Sequence, residues 1–105
     1  MDSKDLRIVK AKLRLRRTEE GGRKTGVKSG YRPDHVFEYR DDGTFSAYIG
    51  DIRFDEHDTI EPGEEKIVTV RFIPRQPIKD LLTVGRHWWI YEGPILVGEA
   101  DIIEV

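Results

Sequence analysis

Apolar and polar residues alternate along much of this chain. In residues 8–16 (Ile-Val-Lys-Ala-Lys-Leu-Arg-Leu-Arg), Val9, Ala11, Leu13 and Leu15 share one parity and Lys10, Lys12, Arg14 and Arg16 the other. Successive side chains of a strand point to opposite faces, so a period of two predicts a half-buried strand. The same pattern predicts strands near 35–40, 44–49, 66–73, 84–91 and 95–104. Within 66–73, Val68, Val70 and Phe72 alternate with Thr69 and Arg71, and in the last strand Leu96, Gly98, Ala100 and Ile102 share a face. Alternation also assigns Phe37 and Tyr39 to the core. Nothing in the pattern asks for a helix of any length.

The punctuation agrees with this division. Glu20-Gly21-Gly22, Ser29-Gly30, Asp42-Gly43, Pro62-Gly63 and Glu92-Gly93-Pro94 fall between the patterned segments, where chains reverse. Six strands in a chain of 105 residues must hide their edges, and closure does so most completely. The expected fold is all-β, a six-stranded antiparallel barrel of Greek-key type. It forms a single domain over residues 7–105, preceded by a short extension over 1–6. One connection stands out, Thr18 to Asp34, rich in glycine and basic side chains. Connections of that length in compact domains are usually functional or mobile.

Charge sharpens the picture. The whole chain carries 18 Lys and Arg against 20 Asp and Glu, a net of −2, which on average argues against a polyanionic partner. Yet residues 1–40 hold 12 basic and 6 acidic side chains, and residues 41–105 hold 6 and 14. The two parts either attract each other within one fold or face different partners. On a strand, Lys10, Lys12, Arg14 and Arg16 project about 6.5 to 7 Å apart, close to the phosphate spacing of a nucleic-acid strand. A solvated outer face is the plainer reading of the same four residues.

Catalytic chemistry is hard to assemble. There is no cysteine, no Gly-x-Ser-x-Gly elbow, no His-Glu-x-x-His pair and no phosphate-cradling Gly-x-x-x-x-Gly-Lys-Ser/Thr loop. The run Asp55-Glu56-His57-Asp58 lacks the spacing and turn glycine of a calcium loop. No enzyme activity, cofactor or metal is expected. With no cysteine staples, no apolar run near the ~20 residues of a membrane span and no signal-peptide pattern at Met1-Asp2-Ser3-Lys4-Asp5, the expected location is cytoplasmic, with no membrane partner. Trp88 and Trp89 are adjacent on a predicted strand and therefore face opposite ways. One of them lies outside the core or under a loop, and an exposed tryptophan, Trp88 or Trp89, marks an interface; Trp88 is carried as a candidate residue.

The segment Glu19-Glu20-Gly21-Gly22-Arg23-Lys24-Thr25, followed by Ser29-Gly30-Tyr31-Arg32-Pro33, resembles the C-terminal β-barrel domain of elongation factor Tu. There, a Glu-Gly-Gly-Arg-His-Thr segment and a Gly-Tyr-Arg-Pro segment follow a first strand at the same separation. Weaker collinear similarity continues at Glu61-Pro62-Gly63, Pro77-Ile78, Glu92-Gly93 and Val97-Gly98, so that it spans roughly residues 8–105. The resemblance implies a six-stranded barrel. In that family the domain follows a GTPase domain and another barrel, helps hold the T-stem side of aminoacyl-tRNA, and contacts the GTPase domain and the exchange factor.

The motif positions transfer unevenly. Arg23 matches the family arginine, Lys24 stands for its histidine, and Tyr31, Arg32 and Pro33 match. Asp34 replaces a glutamine, and Glu92-Gly93-Pro94-Ile95 replaces Glu-Gly-Gly-Arg, removing an arginine that the family places near tRNA. After the second strand, Arg40-Asp41-Asp42-Gly43-Thr44 replaces Thr-Thr-Asp-Val-Thr-Gly. The resemblance implies a non-catalytic binding module without GTP binding. The expected partner is a protein, with the translation apparatus as its source; the alternative is tRNA or structured RNA held by the basic loop 19–33. The candidate residues are Arg23, Lys24, Tyr31, Arg32, Trp88, Pro94 and Ile95.

Overall fold

In the computed structural model, which describes residues 6–105, the alternation of the first strand is realised in three dimensions. Val9, Ala11, Leu13 and Leu15 are buried in β1 (Arg7–Leu15), whereas Lys10 and Lys12 are exposed. The further strands are β2 (Val27–Lys28), β3 (Asp34–Val36), β4 (Tyr48–Arg53), β5 (Thr59–Ile60), β6 (Glu65–Phe72), β7 (His87–Glu92) and β8 (Ile95–Glu104). Of the expected extension over 1–6, residues 1–5 lie outside the described residues. Among the described residues, no helix is long and apolar enough to cross a membrane.

Six strands close into an antiparallel barrel in the order β1-β6-β4-β3-β7-β8, with β8 pairing back onto β1. Strands β3, β4 and β6 lie side by side in succession, and β1 returns beside β6 through the long connection from Arg16 to Pro33, which is a Greek key. Closure leaves these six strands no free edge. The short strands β2 and β5 pair outside the barrel, and Tyr31 bridges to Ile52, which ties this ribbon to β4.

Among the described residues, one polar or charged side chain sits in the interior. His35 has no exposed surface, and it is surrounded by aromatic rings, with Phe72 edge-on at 5.0 Å and Trp88 at 6.1 Å. The Trp88 indole N–H donates to His35 Nδ1 at 3.0 Å, and His35 Nε2 lies 3.0 Å from the Gly50 carbonyl. Because an indole nitrogen only donates, Nδ1 must accept, and Nε2 carries the proton. Both ring nitrogens are thereby satisfied, as a buried imidazole requires. Gly50 also lets β6 pack closely: a Cβ there would stand 2.9 Å from the Arg71 carbonyl oxygen and 3.0 Å from the Phe72 ring.

The elements differ from the pattern-based expectation in three places, each for a local reason. The strand expected at 44–49 begins at Tyr48, because residues 40–44 form a hairpin tip. There Asp42 accepts the Thr44 backbone N–H, and Gly43 adopts φ +85°. This tip turns Tyr39 out of the core to 42% exposure and ends β3 at Val36. The strand expected from Val84 begins at His87; Arg86 N–H bonds the Thr83 carbonyl in a turn that leaves Val84 exposed. In β8, Val97 is an extra residue at a bulge opposite Ile90/Tyr91, so it is buried while Leu96 is only half-buried. The two-residue strands β2 and β5 are too short to carry a period at all.

Trp88 is the tryptophan inside, not the exposed one: it has no exposed surface and stacks on Phe37 at 5.1 Å. Trp89 takes the outer face.

Burial pushes the His35 imidazole down to about 4 from 6.5, against smaller opposing effects of the Gly50 hydrogen bond and the Asp51 charge. Between these two values the unfolded chain binds a proton that the folded barrel refuses, so acid favours unfolding. Stability should therefore hold above pH 6.5 and fall by about 3 kcal/mol as pH drops to 4. Asp51 acts in a lower window. Hydrogen bonds from Arg71, opposed by partial burial, hold its carboxyl at about 2, and its contribution is lost only as pH falls below 3.8 toward that value. Urea unfolding across this range, with the His35 ring followed by NMR, checks the assignment; a His35 ring that titrates near 6.5 contradicts it. Trp88→Phe keeps the ring stacking but strips the indole donor. It should cost about 1–3 kcal/mol by leaving His35 Nδ1 unpaired, read as a shift of the urea midpoint.

Candidate functional site: the long connection and the last hairpin

The connection from β1 to β3 is ordered from its first residues. Thr18–Glu20 forms a single 3-10 turn in which Glu20 accepts the Arg17 backbone N–H. Gly21 follows at φ +96°, the left-handed conformation that ends the turn. Gly22 then passes so close to β1 that a Cβ would meet the Arg16 carbonyl oxygen at 2.7 Å. The two glycines thus have separate jobs, one for backbone twist and one for space. Together they deliver Arg23 to the barrel wall, where Thr18 Oγ1 donates to its carbonyl at 2.6 Å.

Here the structure joins two regions that are distant in sequence. The Arg23 guanidinium donates to the Glu92 carboxylate at the end of β7, and the Tyr31 hydroxyl donates to the same carboxylate oxygen. Arg23 also lies over the Tyr31 ring at 5.3 Å, and its Nε donates to the Thr25 carbonyl at 3.1 Å. Partial burial of the guanidinium opposes its charged form, but the Glu92 hydrogen bond and charge outweigh it and hold Arg23 ionised. Tyr31 is pushed up, first by burial and then by the Glu92 carboxylate. Arg23 and Tyr31 are therefore brought together, and Pro94 and Ile95 are placed beside them by the hairpin that Glu92 begins. Pro94 is exposed and Ile95 is 51% exposed.

The other candidates divide. Lys24 and Arg32 are exposed and form no ion pair among the described residues. Trp88 belongs to the interior and not to this site. Glu92, the residue that organises the cluster, was not among the sequence candidates; its signals were its place in the last hairpin and the collinear Glu92-Gly93 similarity.

The basic face of β1 is mostly matched by acids. Lys10 lies 3.6 Å from Glu104, Lys12 3.4 Å from Glu65, and Arg14 3.3 Å from Glu20 and 3.7 Å from Glu99. Arg16 donates to the Leu96 carbonyl at 3.3 Å. Pairs this exposed contribute little stability each, but they remove the row of free cations that phosphate spacing would need. The acidic run 55–58 is a turn: Asp55 accepts the His57 N–H at 2.9 Å, and Asp58 pairs with Lys66 at 3.0 Å. Among the described residues, no three His, Asp or Glu side chains converge as a metal-binding set.

No family model matches the chain.

Because the Glu92 carboxylate adds to burial in holding Tyr31 neutral, Glu92→Gln should let the Tyr31 hydroxyl ionise at lower pH than in the unaltered protein. Ultraviolet titration, with Tyr31→Phe to assign the signal, measures the shift. An unchanged Tyr31 titration in Glu92→Gln contradicts the shared carboxylate.

Proposed function

We propose that this domain is a non-catalytic binding module, a relative of the elongation factor Tu C-terminal barrel, that engages a protein partner of the cytoplasmic translation apparatus. The observation that carries the reading is the Arg23–Glu92 pair. The arginine that the family motif aims at RNA is spent on an internal carboxylate. A phosphate would have to displace that carboxylate and would leave Glu92 beside it as a repelling charge. The exposed Ile95, next to Pro94 in the same hairpin, offers apolar surface where the family has a cation. The matched acids along β1 support the same conclusion.

A second reading has one observation in its favour. Lys24 and Arg32 are exposed cations in the same loop, without ion-pair partners among the described residues, and two such contacts suit weak RNA binding with a log K slope of about −2 against log salt.

Affinity capture from nuclease-treated extract, using the unaltered chain and Ile95→Asp as baits, separates the two. The expected result is a protein retained after nuclease and lost, about tenfold or more, with Ile95→Asp. Capture that disappears with nuclease, together with tRNA binding at low salt that falls in Lys24→Glu and Arg32→Glu, establishes the RNA reading instead.

A further inference from the structure

Outside the barrel, β7 carries a row of rings. Its inward residues Trp88 and Ile90 are fully buried, so His87, Trp89 and Tyr91 face outward. The β3–β4 hairpin adds two more rings, because Tyr39 and Phe45 bridge directly across its tip. Tyr39 stands edge-on to Trp89 at 5.1 Å and to Phe45 at 5.7 Å, and Phe45 lies 4.7 Å from Tyr91. The Tyr39 and Tyr91 hydroxyls are hydrogen-bonded at 2.6 Å. Val36, the cross-strand partner of Trp89, is fully buried.

Each outward position of β7 has a carboxylate as its direct strand neighbour. His87 pairs with Asp101 and Trp89 with Glu99 on β8, and Tyr91 pairs with Asp34 on β3. Directly opposed residues share a face with their Cβ atoms about 4.5–5.5 Å apart. The aromatic row is therefore bordered by acids on both sides. Asp101 and Glu99 contact His87 at 2.7 and 3.5 Å, and Glu99 also reaches Arg14 at 3.7 Å. Asp34 is exposed and has no ion pair among the described residues. The two arginines next to the row in sequence are tethered: Arg40 donates to Thr44 and Ser46, and Arg86 to the Phe37 carbonyl and Glu38. Beside Tyr39 opens a pocket of about 140 Å³, lined by Phe37, Tyr48 and Leu81 with Glu38 and Arg40.

Ring faces attract cations, and flanking carboxylates add a point charge of the right sign. The same carboxylates repel a phosphate backbone, which separates this surface from the stacking platforms of single-stranded nucleic-acid binders, where aromatic rings are interleaved with basic residues. We infer that this outer aromatic row docks an extended, arginine- or lysine-bearing segment of a partner protein, with a cationic side chain on the Trp89 and Tyr39 rings between Asp34 and Glu99. The inference rests on the protein-partner reading above and names the chemistry of that partner.

Titration of tryptophan fluorescence in the full chain tests it, using a synthetic peptide of alternating proline and arginine, its glutamate counterpart and polyuridylate. Trp88 is shielded in the core, so a change in emission reports Trp89. The arginine peptide is expected to bind saturably and more weakly as salt rises. Its affinity should fall about tenfold in Trp89→Leu and again about tenfold in the double variant Asp34→Asn with Glu99→Gln, with binding to the variants followed by calorimetry. The double variant keeps every ring in place and so remains decisive if Trp89→Leu unsettles Val36. Absence of binding by the arginine peptide, equal binding of the glutamate peptide, or tighter binding of polyuridylate overturns the inference. If the peptide fails while hairpin-dependent capture persists, only this surface is removed; if both fail, the protein-partner reading goes with it.

Discussion

Everything on the outer face of β7 follows from what is held inside. Among the described residues His35 is the one fully buried polar or charged side chain in a core of aliphatic and aromatic residues, and an unpaired imidazole there would cost several times the worth of an ordinary hydrogen bond. The Trp88 indole and the Gly50 carbonyl remove that cost, and in doing so they tie β7, β3 and β4 to one ring. Trp88 must point inward to donate. Because a strand alternates, Trp89, Tyr91 and His87 must then point out, and the acids opposite them on β3 and β8 come with the register.

The Greek-key crossing supplies the second constraint. To bring β1 beside β6, the chain must run from Arg16 to Pro33 across one end of the barrel, and it is stitched down on the way. Gly22 passes against β1, Arg23 and Tyr31 meet on Glu92, and the β2–β5 ribbon joins the connection to β4. A segment with the composition of a mobile basic loop is thus a fixed part of the wall. The cations that composition placed there differ in kind: Arg23 is part of the structure's own charge network, whereas Lys24 and Arg32 face solvent.

Much of the barrel was legible in the chain because half-buried strands write their period directly. The faces of β1 and β6, the turn glycines and the need for closure were all readable, and six barrel strands were expected where six are found. The errors fall where the period is short or interrupted. Strands were expected over 35–40 and 44–49 on either side of the Asp42-Gly43 turn, but the hairpin tip takes up more of the chain than the turn signal alone marks, so the strands shorten to Asp34–Val36 and Tyr48–Arg53 and Tyr39 turns outward. The bulge at Val97 shifts parity within β8, which no strict period of two can anticipate.

The candidate site was legible only in halves. Sequence reasoning found the Arg23–Arg32 loop and the Pro94–Ile95 hairpin as separate features, and it carried Trp88 as an interface candidate without settling which tryptophan is exposed. By itself the sequence determined which positions alternate, where the chain turns and how charge is divided, since these depend on neighbours a few residues away. It could not determine which tryptophan faces in, because alternation is unchanged when both faces are exchanged. In the fold the inward one is held by His35, 53 residues distant. Nor could it show that Arg23 is already paired, because its partner lies 69 residues along the chain and meets it only when the barrel closes.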